Sequence, residues 1–129
     1  MAAVGAAADG ETLSCPATAF VDFLAAFAEQ PALQPRFTRY PLAYVTVEEG
    51  ANGPAPAERR LPADSIREPL LLSAAARARQ GLELRIDSAE ASRRRVVVGK
   101  ADTDYQIEYT FARRADGCWE LVRYDNQSL

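Results

Sequence analysis

The chain has 129 residues, 48% of them hydrophobic and 26% charged, and a formal net charge of −3. That size supports one folding unit with its own core, and the composition lies outside the low-hydrophobicity, high-charge regime of disorder. A net negative chain has no global field to hold a phosphate backbone, so nucleic acid is not an expected partner, and no stretch approaches the ~20 apolar residues of a membrane-spanning helix.

Residues 1–12 show no periodicity and read as a tail. The small residues from Met1 to Ala8 fit either the remnant of a trimmed export signal or a plain alanine-rich tail, because the positive and apolar regions that precede a cleavage site are missing. Leu13-Ser14-Cys15 faintly resembles the end of a lipoprotein box, but Asp9 and Glu11 stand where its apolar run belongs. The folded domain is expected over 13–129. Ser14 as N-cap and Pro16 in the first turn predict a helix running to about Glu29. Helical spacing puts Phe20, Phe23, Leu24, Phe27 and Ala28 on one stripe and Asp22 and Glu29 opposite it, so the aromatic row reads as core. Pro31 and Pro35 allow a short turn. Phe37–Val47 then reads as a strand with Tyr40, Leu42 and Tyr44 on one face, and Pro41 confines it to an edge or a bulge, at the border of a sheet.

Residues 48–63 contain Gly50, Gly53, Pro54, Pro56 and Pro62 and predict a long exposed loop. A helix is expected around Leu72–Gln80, with Ser73 as cap and Gly81 as terminator. Beyond Gly81 the period changes to two, predicting strands near Leu82–Ala89, Arg94–Lys100, Tyr105–Arg113 and Cys118–Tyr124, with Ala115-Asp116-Gly117 as a hairpin turn. Tyr105, Ile107, Tyr109 and Phe111 share one face of the third of these, and Gln106, Glu108 and Thr110 the other. Helices first and strands last indicate an α+β domain, an antiparallel sheet with helices on one face.

Cys15 and Cys118 meet if the first helix packs on the sheet. A bridge closing a loop of about 100 residues stabilises by ~4–5 kcal/mol and implies an oxidising compartment, periplasmic or secreted. Two buried free thiols are the other reading, and they would leave the chain cytoplasmic.

Phe20-x-x-Phe23-x-x-x-Phe27, followed by Leu33-Gln34 and Tyr40-Pro41-Leu42, with Trp119-x-Leu121 in the last strand, resembles a family of small bacterial domains of unknown function. The resemblance covers the first third of the folded chain plus the final strand. Gln30 stands where that family's pattern has an acidic residue, and Arg36 and Arg39 bracket its arginine position. The resemblance implies an NTF2-like (cystatin-like) cone: an N-terminal helix packed on a curved antiparallel sheet, often dimeric and often exported. Such folds host isomerases, dehydratases, assembly domains and immunity proteins, so the fold does not select a function.

The chemistry is bounded by what is missing. With no histidine, Ser-His-Asp and Cys-His catalysis and histidine-bearing zinc sites are excluded; two distant cysteines make no thiolate cage, and no glycine-rich phosphate loop exists. No metal or cofactor is expected. Asp102-Thr103-Asp104 lacks the central glycine and terminal glutamate of a calcium loop and reads as a solvated turn. Arg93-Arg94-Arg95 and Arg113-Arg114 read as surface charge. The expected function is that of a non-enzymatic, exported binding domain of the immunity or inhibitor kind. Its partner is either a basic effector or toxin, capped by the acidic chain and the 48–63 loop, or a second copy of itself. Tyr40, Tyr44, Tyr105, Tyr109 and Trp119 are its candidate binding residues. The alternative is an isomerase- or dehydratase-type enzyme using Glu108 or Asp104 with Tyr40, Tyr105 or Tyr109, although strand alternation places Glu108 opposite the tyrosine row. An enzyme predicts a deep pocket holding a carboxylate, whereas an interaction module predicts a filled interior with protruding segments.

Overall fold

The computed structural model describes residues 14–129, and the tail expected over 1–12 lies outside them. Helix α1 spans Phe20–Glu29. The strands are β1 (Thr38–Gly50), β2 (Gly53–Leu61), β3 (Glu83–Ala89), β4 (Arg93–Gly99), β5 (Gln106–Arg113) and β6 (Trp119–Asn126), with helix α2 (Ala74–Gln80) before β3. They form one sheet in the order β2-β1-β6-β5-β4-β3. Helix α1 lies across its concave face, and β2 and β3 remain as free edges.

The expected aromatic stripe is the core. Phe20, Phe23, Leu24, Phe27 and Ala28 are all buried. Phe111 of β5 sits beneath them, its ring 5.3 Å from Phe27 and 6.0 Å from Phe23, both edge-on. Trp119 of β6, fully buried, meets Phe20 edge-on at 5.0 Å.

The helix begins later than its Ser14 and Pro16 signals predict. Residues 14–19 instead run as a strap, because their partners lie in the sheet. Cys15 is disulfide-bonded to Cys118, and the Thr18 carbonyl accepts the indole N–H of Trp119 at 2.9 Å and a guanidinium N–H of Arg113 at 3.2 Å. Of the two open readings of the cysteines, the bridge is the one present. At the other helix the signals hold: the Ser73 hydroxyl accepts the Ala76 N–H at 3.2 Å, and Gly81 takes φ 72° immediately after Gln80.

Three expectations about the sheet are corrected. Strand β1 is not at the border: it pairs with β2 on one side and with β6 on the other. Pro41 is tolerated there because it follows a cis bond inside a register break between Thr38 and Ala43, where the ladder to β6 is interrupted. The 48–63 segment is no loop. Gly50 pairs with Gly53 around a two-residue turn, and 53–61 form β2, so the chain folds back into a hairpin. Pro54 and Pro56 fit this strand because they stand two apart. A proline nitrogen belongs on the side of the strand that faces no partner, and alternation puts both on the free edge. Finally, β1 and β6 run parallel, so the sheet is mixed rather than wholly antiparallel.

Candidate functional site

The five aromatic candidates fall into three environments. Trp119 belongs to the core, with the guanidinium carbons of Arg94 and Arg113 each 4.9 Å from its ring centroid. Tyr40 is half-buried near the cis bond, and its hydroxyl donates to the Pro35 carbonyl at 2.7 Å. Burial raises its pKa, against a smaller lowering by the Thr38 hydroxyl. Trp119, fully buried, presents no surface. Tyr44, Tyr105 and Tyr109 are brought together on the concave face, in company with Tyr124.

Tyr44, Tyr124 and Tyr109 form a row across β1, β6 and β5, because Tyr44 and Tyr109 are both register partners of Tyr124. The rings of Tyr44 and Tyr124 stack 4.7 Å apart at 7°, and Tyr109 meets Tyr124 edge-on at 5.5 Å. Tyr124 escapes period-two reading. The ladder shifts between Thr110 and Phe111 and leaves Val122 without a partner on β5, so Leu121 and Tyr124 face inward although three residues apart.

The row closes a cavity of about 190 Å³ between the sheet, α2 and the Pro69–Leu72 segment. Its polar lining is Arg77, Tyr105, Tyr109, Tyr124 and Asn126; the remainder is apolar. The Tyr109 hydroxyl donates to the Leu70 carbonyl at 2.5 Å. Burial, helped by Tyr124, drives the Tyr109 phenol well above its ordinary range, and burial, helped by Tyr44, pushes that of Tyr124 up to about 12. Both remain neutral near pH 7 and supply no phenolate base. On the far side of Tyr44 and Tyr124 lies a shallower groove of about 410 Å³ under Leu61 and Ser65–Leu70.

The segment that walls both spaces is held by Gln34, a fully buried amide that sequence reading treats only as part of a core-forming motif. Its Nε2 donates to the carbonyls of Phe27 and Leu71 at 3.0 and 2.8 Å, and its Oε1 accepts the N–H groups of Leu70 and Leu71 at 2.7 and 3.1 Å.

Among the described residues no carboxylate lines the smaller cavity. Glu108 lies on the convex face with Arg95 at 3.5 Å, as alternation predicts, and Asp104 accepts the Leu129 N–H at 3.1 Å. Neither Glu108 nor Asp104 therefore joins Tyr105 and Tyr109 in this cavity, whereas the larger groove has Glu68 in its lining with Tyr44 and Tyr124. Asp102-Thr103-Asp104 is a turn, with Thr103 donating to the Lys100 carbonyl at 2.8 Å, and among the described residues no three metal-ligating side chains converge.

The convex face neutralises itself. Arg95 pairs with Asp87 and Glu108, Arg123 with Glu58 at 3.3 Å, and Arg39 with Glu120 at 2.6 Å. The arginine runs are thus spread over several roles, Arg114 pairing with Asp116 at 2.7 Å. Beyond this face the hairpin projects: β1 pairs with β6 only as far as Val45, so Thr46–Gly50 have β2 as their sole ladder partner. Among the described residues no helix is long and apolar enough to cross a membrane.

No protein-family model and no curated protein sequence matches the chain. Solved structures do match. An NTF2-like protein from Bacteroides fragilis superposes with a TM-score of 0.60 at 20% identity, over 85% of this chain and 47% of that one. A cystatin-like protein from Bacteroides caccae gives 0.58 at 18% identity, over 82% of this chain and 74% of that one. The chain thus has the NTF2-like, cystatin-like fold that its motifs imply, and it spans about half the length of the first of these neighbours.

Proposed function

We propose that the chain is an exported, non-catalytic binding domain of the immunity or inhibitor kind, which engages a protein partner through the projecting β1–β2 hairpin. The observation that carries this reading is the hairpin itself, a two-stranded arm standing clear of the sheet body. Between Thr46 and Glu58 every charged residue is acidic: Glu48, Glu49 and Glu58. Glu48 and Glu58 are paired with arginines, whereas Glu49 has no ion-pair partner among the described residues. An acidic, preformed arm suits a basic partner surface, with fast and salt-sensitive association. Export is supported by the Cys15–Cys118 bridge, since such bonds persist in oxidising compartments.

The test is a paired capture from envelope and cytosolic fractions with the oxidised chain and its Glu49→Lys variant. The expected result is one dominant basic protein, released between roughly 0.05 and 0.5 M salt and lost from the variant. Equal capture by both chains, or none by either, would sink the reading.

A further inference from the structure

The cavity behind Tyr124 holds a charge that the hairpin does not use. Arg77, in α2, is half-buried in the cavity wall and donates Nη1 to the Leu72 carbonyl at 2.5 Å. Among the described residues no carboxylate pairs with its guanidinium. A cation drawn partly out of water without a counter-ion is unfavourable, and the cost is relieved when an anion completes it. The groups sharing the cavity are suited to such an occupant. Tyr109 and Tyr124 are neutral phenols that present ring surface, Val98 and Ile107 are apolar, and the Tyr105 hydroxyl has no hydrogen-bond partner among the described residues.

We propose that this cavity binds a small monocarboxylate with an apolar body. The carboxylate forms a charge-assisted pair with Arg77, and the body lies against Val98, Ile107 and the tyrosine rings. A single guanidinium in an otherwise uncharged lining matches one negative charge better than a phosphate dianion. A cavity of roughly 150 Å³ takes a benzene ring, so one of about 190 Å³ takes such a ring, or an alkyl chain of similar size, with its carboxylate directed at Arg77, as in benzoate or hexanoate. The occupant is held and not transformed, because the cavity offers no carboxylate or phenolate base. This site is separate from the hairpin and does not depend on it.

The experiment is calorimetric titration of the oxidised full chain with benzoate and hexanoate. Benzyl alcohol supplies the body without the charge, and acetate and inorganic phosphate supply charge without the body. The expected result is saturable binding of benzoate or hexanoate, with the three controls much weaker. Arg77→Gln should weaken that binding about tenfold or more, the loss expected for a charge-assisted contact. Asn126→Asp, which places a competing carboxylate inside the same cavity, should weaken it as well and keeps the test decisive if Arg77→Gln does not fold. The proposal is overturned if neither carboxylate binds, if both variants bind as the parent does, or if acetate and phosphate bind equally well.

Discussion

Gln34 is a polar side chain at the centre of the molecule, and all four of its hydrogen bonds go to backbone groups, at Phe27, Leu70 and Leu71. It joins the end of α1 to a segment some 36 residues away, and that segment in turn receives the Tyr109 hydroxyl and walls the cavity. Replacing Gln34 by Ala leaves buried N–H and C=O groups without partners, each costing about 1–3 kcal/mol where water cannot enter. Gln34→Ala should therefore lower stability by about 4 kcal/mol or more, far beyond its loss of packing volume. Urea denaturation measures this directly; a loss under about 1 kcal/mol would show that water replaces the amide. Nothing local in the sequence announces the role. Gln34 sits between prolines, outside any periodic run, and its partners are distant in the chain.

Among the elements, those whose signal is periodic are legible and those built on proline are not, and the caps divide: Ser73 and Gly81 bound α2, whereas Ser14 does not begin α1. The α1 stripe, the Ser73 and Gly81 boundaries of α2, and the inward row of β5 all follow from spacing alone. The β1–β2 hairpin does not, because its glycines and prolines carry the composition of a loop. Only the pairing partner reveals that Pro54 and Pro56 fall on one side of the strand. Tyr124 is hidden for a related reason, since one unpaired residue in β6 reverses the face of everything after it. The prolines have a consequence of their own. The β2 edge is open, and two of its outward positions lack an N–H, which blunts pairing with another chain. The double variant Pro54→Thr/Pro56→Thr restores those donors and should self-associate at concentrations where the parent is monodisperse. Light scattering checks this, and unchanged particle size in the variant would place the protection elsewhere, in the charges of Glu58 and Arg60.

At the scale of the whole molecule, the Cys15–Cys118 bridge spans a sequence separation of 103 residues and fixes the strap over Trp119. In the chain-entropy account a loop of that length is worth about 4–5 kcal/mol. The Cys15→Ala/Cys118→Ala variant is accordingly expected to lose about that much stability, and the parent to lose it on reduction. Denaturant midpoints with and without reductant make the comparison, and equal midpoints would show that packing of Phe20 on Trp119 holds the strap unaided.

The position of β6 sets an order on how the sheet is made. It is the last of the described strands, yet it lies between β1 and β5, and among the described residues no other ladder joins the first hairpin to the β3–β4–β5 meander. A chain emerging from a ribosome therefore carries two unconnected half-sheets until residues 119–126 arrive. The same strand brings Trp119, and Cys118 immediately precedes it, so closure of the core and of the covalent link waits for residues 118–126. The topology itself delays the finished sheet until β6 is available to join its two halves.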